Sequence, residues 1–397
     1  MKLFQRLLVA PAALGLLSPL AANATEVNLN DIANYSDIES IDLANSFDND
    51  QSTKSPLLAG GEGLVDSHDG GFSSTTTASF SVDFLVGAVD GKDVKATGDF
   101  AADGDEDIQA AYSFQIDLNT SFTGEDSLDI SLDAGNAAGS TATTPSPLLE
   151  FDPNTDSDNL KVDGVSYTFP LGDSTTVIVG DNTDGSALFT TACVYGGGDT
   201  LSNCGAPSAG PTGGGVALGA AYDFGGGYTA AFGYQTSEVG IATKESNDAY
   251  GLNLAYTGDT YGASLTYGSF ETGTNGVRTD DYIAVNAYYT FDSGMSVSAG
   301  YEAGTLGSVA ATQDETIAYF FGIETGLGAG TFGAAIGTAG AMTESSGTIT
   351  EAMMYEAYYS YPVNDGMTIT PLVYIKEDTD TDNPDETGIM VKTSFSF

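Results

Sequence analysis

The 397-residue sequence predicts an all-β fold: a transmembrane antiparallel β-barrel of sixteen strands, with short turns on one rim and long loops on the other. Three observations lead there. From Thr75 onward, apolar and polar residues alternate in sixteen successive segments, the period-two signature of strands with one apolar and one polar face. The connections between segments alternate short and long. No internal run approaches the roughly 20 apolar residues of a membrane helix, whereas barrel strands need only alternate.

The chain begins with a leader-like stretch. Lys2 and Arg6 give a positive start, LLVAPAALGLL an apolar middle, and Ala22-Asn23-Ala24 a small-residue cleavage pattern, so 1–24 reads as an export signal peptide. Residues 25–74 are acidic and weakly apolar, ending in the linker-like SHDGG, and read as an N-terminal segment with little fixed structure. Residues 75–397 are the barrel.

The strands follow in order, each marked by its apolar face. The first carries Phe80, Val82, Phe84 and Val86. The second is the cleanest, with Ile108, Ala110, Tyr112, Phe114, Ile116 and Leu118 opposite Gln109, Ser113, Gln115 and Asp117. The third sets Leu128, Ile130 and Leu132 against Asp129, Ser131 and Asp133. The fourth and fifth carry Val165, Tyr167, Phe169 and then Val177, Val179. Paired segments follow around Leu218–Phe224 and Tyr228–Tyr234, Tyr250–Tyr256 and Tyr261–Tyr267, Ile283–Phe291 and Met295–Tyr301, Ile317–Ile323 and Phe332–Ile336. The fourteenth is Met353–Tyr359. The fifteenth, Met367–Ile375, contains Pro371, which removes a ladder donor and obscures its facing. The last, TGIMVKTSFSF at 387–397, places Ile389, Val391, Phe395 and Phe397 on the apolar face and Met390, Lys392, Ser394 and Ser396 on the other.

Loop length segregates by parity. Gly/Asp/Asn turns such as TGED at 123–126, GGG at 225–227 and VNDG at 363–366 follow even-numbered strands. Longer connections, at 89–107, 135–164, 181–215, 238–248, 271–280, 303–314, 338–350 and 376–386, follow odd-numbered ones. A soluble sandwich has no reason to sort its loops this way; an outer-membrane barrel has short periplasmic turns and long extracellular loops. An even count puts both barrel ends on the short-turn side.

Composition narrows the function. Without Lys2 and Arg6, eight bases face 55 acids, which argues against nucleic acid as a partner and for cations gathering wherever the acids are confined. The only histidine is His68, and the only cysteines are Cys193 and Cys204. Nucleophile–histidine catalysis and a histidine- or cysteine-based metal site therefore find no material, so no catalytic residue, metal or cofactor is assigned. In an exported chain the two cysteines are able to oxidise together. Tyr and Phe at segment ends, such as Tyr250 with Tyr256 and Tyr261 with Tyr267, read as interfacial girdles. The polar face is too polar for a packed core and is expected to face water in a lumen. Asp83, Asp117, Asp129, Asp133, Glu324 and Glu356 are its pore-lining acids, with Lys392 the clear opposing base and Arg278 alone in a loop. The acidic run DTDTDNPDE at 378–386 lacks EF-hand spacing and reads as solvated. Glycine runs, GGG among them, read as turns.

The runs TEVNLNDIANYS, GGFSSTTTASFSVDFLVGAVDG, LNTSFTGEDSLDISLDAGNA, DGVSYTFPLGD and VIVGDNTDGSALFTTACVYGG resemble the outer-membrane porins of marine cyanobacteria, a group related to carbohydrate-selective porins, over nearly the whole mature chain. The resemblance implies a homotrimer in outer-membrane lipid that passes small hydrophilic solutes and cations by diffusion. It leaves open a substrate-specific channel for carbohydrate or for iron and other metal ions; a structural outer-membrane protein or a barrel enzyme is the further alternative. Many such porins carry an S-layer-homology domain after NLNDIANYS. Here only Ser36 to Gly70 follows, without that domain's helices or aromatics, so peptidoglycan tethering is not expected. Outer-membrane proteins also end in an aromatic strand read by their assembly machinery, a role the resemblance gives to Phe395 and Phe397. In sixteen-stranded porins the loop after strand five folds into the barrel and narrows it. Carried over by position, Asp181, Asp184 and Asp199 become constriction candidates, in a loop that a Cys193–Cys204 bridge would stiffen.

Overall fold

The structure, a computed structural model, describes residues 75–90, 108–137, 147–155, 157–241, 243, 247–272, 278–307, 315–345, 348–349, 351–378 and 385–397. The expected leader at 1–24, the acidic segment at 25–74, the loop body at 91–107 and most of DTDTDNPDE lie outside these residues.

Strands form where the alternation predicts them: β1 (Thr76–Asp90), β2 (Ile108–Thr120), β3 (Ser127–Gly135), β4 (Lys161–Pro170), β5 (Thr175–Asp181), β6 (Val216–Gly225) and β7 (Tyr228–Thr236). Then come β8 (Ala249–Thr257), β9 (Tyr261–Thr272), β10 (Arg278–Thr290), β11 (Ser296–Thr305), β12 (Glu315–Leu327) and β13 (Gly330–Thr338). A small hairpin of β14 (Met342–Ser345) and β15 (Thr348–Ile349) rises within the next loop. β16 (Met353–Asn364), β17 (Met367–Lys376) and β18 (Glu386–Ser396) complete the wall. Without the hairpin this is a closed antiparallel barrel of sixteen strands, each paired with its chain neighbours.

β1 pairs with β18 from Ser81↔Ser396 to Asp90↔Thr387, so the sheet has no open edge, the condition for a sheet whose outside meets no water. At the seam, Phe80 stacks on Phe397 with ring centroids 5.6 Å apart. The same two residues exchange backbone hydrogen bonds of 3.0 and 3.1 Å. Pro371 sits inside this wall, paired with Val391 of β18. On its other side the ladder with β16 is interrupted between Tyr358↔Leu372 and Tyr361↔Ile369 without a change of register, as expected of a residue with no N–H to give.

The barrel is turned inside out relative to a soluble sheet. Phe84, Val86, Leu252, Leu254, Val285 and Phe321 are exposed on the outside, while their chain neighbours Leu85, Asn253, Ala284, Asn286 and Phe320 are buried inside. Short turns close one rim. In the turn before β3, Asp126 accepts hydrogen bonds from the backbone N–H groups of Phe122 and Thr123, from the Ser121 and Thr123 hydroxyls, and from the Tyr167 phenol. These bonds hold its carboxyl well below the usual range, the Tyr167 bond foremost. On the long-loop rim, Tyr234, Tyr267, Tyr319 and Tyr355 donate to Asp248, Asp281, Glu351 and Glu377. Aromatics thus gather at both ends of the strands. Tyr256 contacts Tyr228 and Tyr261 near one rim, and Tyr250 contacts Tyr234 near the other.

Candidate functional site

The polar inner face does not simply face water. The connection after β5, residues 182–215, lies against it, and the interior wall receives it one strand at a time. The Gly185 N–H donates to Gln235 Oε1 on β7 at 3.0 Å. Thr190 N–H donates to Asn253 Oδ1 on β8 at 3.0 Å, and the Asn253 amide returns a bond to the Thr190 carbonyl at 3.1 Å. Ala192 then donates to Ser264 Oγ on β9, Val194 to Ser298 Oγ on β11, Gly196 to Glu324 Oε2 on β12 and Gly198 to Glu356 Oε1 on β16, at 2.8–3.2 Å.

From Thr190 to Gly198 the period is two, and it follows from geometry. In an extended chain every second N–H points to the same edge, and two residues advance about 6.7 Å. Strands about 4.8 Å apart and tilted by about 40° are spaced about 6–7 Å around the barrel. One wall strand therefore meets one pair of loop residues. At the loop's smaller radius the same advance spans a wider angle, which accounts for the skipped strands β10 and β13. β10 is used on the return, where Asn286 Nδ2 donates to the Cys204 carbonyl at 2.7 Å. Glu302 on β11 accepts from the Ser208 and Ala209 N–H groups at 2.9 and 2.8 Å.

Cys193 and Cys204 form a disulfide across the loop's fold-back, a closure worth about 3 kcal/mol on the chain-entropy model. The glycines of 196–198 are an extended stretch laid on the wall, not the turn their composition suggests; Gly225–Gly227 are the turn, all at positive φ. A Cβ on Gly198 would strike the Glu356 carboxylate, so only glycine lets the backbone approach this closely. Tyr195 packs against Phe320 and Tyr358 and donates to Glu356 at 2.7 Å. Burial first, then the neighbouring carboxylates, push its phenol far up.

A second segment enters from the loop after β3. The 3-10 turn Pro147–Phe151 inserts Leu148, 1% exposed, against Leu85 and Ala111. Phe151 lies 4.8 Å from Lys392 Nζ, measured to the ring centre. Glu150 joins the two inward segments by accepting from the Thr200 N–H at 3.2 Å and the Thr200 hydroxyl at 2.9 Å, with Lys376 Nζ 3.7 Å away. Burial raises the Glu150 carboxyl above its ordinary value, opposed by Lys376 and the two Thr200 bonds. Asp199 is raised as well, by burial and by Asp152.

The residues singled out in the sequence fall into three settings. Asp181 ends β5 and Asp184 accepts from Gly213 N–H, both at the root of the loop. Asp199 opens the short helix Asp199–Ser202, on a recess of about 460 Å³ shared with Asn203 and Ala339. Among the wall acids, Asp83 is half-buried beside Ser113 and Ser394. Asp117 accepts from Gln115 and Ser131, Asp129 from Asn119 and Ser127, and Asp133 is buried. Glu324 accepts from Tyr358 at 2.5 Å as well as from Gly196, and Glu356 is 4% exposed beneath the loop. Lys392 points inward on β18 beside Phe151.

Two sequence-based expectations need correction. The polar face from β7 to β16 is largely covered by the loop: Asn253, Asn286, Ser298, Glu302 and Glu356 are buried. Lys392 is also not alone, because Lys376 ends β17, Lys161 begins β4 and Arg278 begins β10 rather than standing in a loop. Gln235, Asn253, Ser264, Ser298 and Glu302 were visible only as polar positions in alternating strands. Nothing local distinguishes a polar residue that receives a loop from one that meets water.

No protein-family model matches the chain, and no curated protein matches it in sequence. In fold it is similar to outer-membrane proteins of known structure. OprB of Pseudomonas putida aligns with a TM-score of 0.60 at 9% identity, over 81% of this chain and 94% of that one. A loop-deleted OmpT, an outer membrane protein of Vibrio cholerae, aligns with a TM-score of 0.55 at 14% identity, over 81% and 100%. A substituted Rh. blastica porin aligns with a TM-score of 0.50 at 14% identity, over 81% and 100%. At these identities the likeness is one of fold: the chain has the closed barrel of porins.

Proposed function

We propose that this protein is an outer-membrane porin through which small hydrophilic solutes and ions diffuse passively, with a preference for cations. The carrying observation is a closed sixteen-stranded barrel, apolar outside, whose interior holds a loop hydrogen-bonded to its wall. An enzyme would need a cleft with reactive groups. Here the interior carboxylates Glu302, Glu324 and Glu356 are each engaged by loop backbone. The apolar outer face suits lipid, and the aromatic bands near both rims suit its two interfaces. Inside, the excess of acids over bases favours cations. The proposal keeps the export signal at 1–24, the C-terminal assembly tag at Phe395 and Phe397, a constriction that includes Asp199, and a homotrimer of the cyanobacterial porin type.

The test is conductance of the purified protein in a planar bilayer. Stepwise openings with reversal potentials that favour the cation in a salt gradient are expected. Absence of conductance would refute the channel, and anion-favouring potentials would refute the preference. Saturable block by one sugar or metal salt would move the reading to a substrate-specific channel.

A further inference from the structure

Beneath the two inward segments, the inner wall of β16, β17 and β18 forms a recess of about 320 Å³. Gly196 and Gly197 of the loop roof it, and Phe151 closes one side. Into it face Lys392 and the hydroxyl residues Ser360, Thr368, Thr370 and Ser394, and none of its ten lining residues is acidic. That is unusual in a chain with 55 acids and 10 bases. Among the described residues no carboxylate lies within 4.0 Å of the Lys392 ammonium. Lys376, one strand away, is paired with Glu150. The Lys392 ammonium instead rests 4.8 Å from the Phe151 ring centre, a contact that steadies a cation without using its three donors.

We infer that this recess is a binding station for a small oxyanion group, a phosphate or carboxylate carried by a solute in transit. The chemistry is that of one fixed ammonium with several rotatable hydroxyls, donors matched to the many acceptors of an oxyanion. The surrounding acids set the cation preference of the pore as a whole. No acid lines the station itself, although Asp83 pairs with Ser394 on β18 and Glu324 accepts from Gly196 and Tyr358 at its edge, so a negatively charged group meets the Lys392 attraction only after passing the loop. The inference rests on the channel reading above.

Inorganic phosphate, titrated at constant ionic strength onto channels conducting KCl, tests it. Wild-type channels are expected to show saturable block. In Lys392→Met the half-blocking concentration should rise roughly ten-fold or more, the loss of one charge-assisted contact. Lys376→Met, which removes a paired ammonium outside the recess, should stay within about two-fold. Thr368→Val, which keeps the charge and the volume, should raise the half-blocking concentration a few-fold and stands in if Lys392→Met does not fold. Conducting channels with no saturable phosphate block, or with equal block in wild type, Lys392→Met and Thr368→Val, overturn the station alone. A protein that never conducts overturns the channel and the station with it.

Discussion

The two segments that enter the barrel are held by different balances of polar and apolar contact. Residues 182–215 are held by polar acceptors distributed over β7 to β16 and, around the disulfide, by Tyr195, Leu201 and Cys204 packed with Phe320, Met354 and Tyr358. The turn at 147–151 is held by an apolar plug, Leu148 between Leu85 and Ala111, with Phe151 beside it. A row of hydrogen bonds fixes position by many small terms, each lost with modest effect. A plug concentrates its free energy in one side chain. The long loop thus adds a row of wall hydrogen bonds to its own apolar anchor, the short turn rests mainly on Leu148, and they meet at Glu150 and Thr200.

The largest effect is expected from Leu148→Ala, at about 2–5 kcal/mol for emptying a buried leucine site, read as a lower unfolding midpoint in detergent. A cost below about 1 kcal/mol, comparable to a single wall hydrogen bond, would erase the contrast. Next, Cys193→Ser combined with Cys204→Ser removes a constraint of about 3 kcal/mol. Protease should then cut the loop faster while the wall hydrogen bonds keep channels open, and an unchanged cleavage rate would show that the wall alone holds it. Glu302→Ala leaves the Ser208 and Ala209 N–H groups unpaired and should cost about 1–3 kcal/mol. Ser298→Ala, which removes one neutral acceptor from Val194, should cost about 1 kcal/mol. Equal losses for these two would mean that the carboxylate adds nothing beyond a hydroxyl.

The smallest effect is a pH dependence at the junction. Because the folded-state carboxyl of Glu150 is raised, mainly by burial, its contribution is most favourable below the ordinary carboxylate pKa of about 4.3. It weakens as pH rises from there through the raised folded value. Asp199 shifts the same way. Open-channel current noise should therefore grow as pH rises above the ordinary carboxylate value of about 4.3, and Glu150→Gln should flatten that profile. Identical profiles in variant and wild type would remove Glu150 from the junction.

Much of the wall was legible because a barrel strand writes its facing locally. Ile116 and Asp117, or Tyr250 and Gly251, declare opposite faces through period two alone, and the turn residues declare the rim. The interior was harder. Glu324 and Glu356 were recognisable as inward acids, but Glu302 was equally inward and not singled out. Lys376 was assigned to a loop because the alternation of β17 is blurred around Pro371. The glycines at 196–198 resemble a turn in composition, and only contact with Glu356 shows why that stretch needs no side chains.

By itself, then, the sequence determined the strand count, the facing of every strand but the one around Pro371, the sorting of loops between rims and the excess of acid, because each depends on residues near one another in the chain. Only the tertiary structure decided which polar residues meet a loop and which stay open, and that Lys392 shares a recess with Phe151 while Lys376 pairs with Glu150. Those contacts join residues from about 50 to more than 200 positions apart. Closure of the sheet into one barrel brings them together, and no local pattern records where on the wall a folded-in loop will lie.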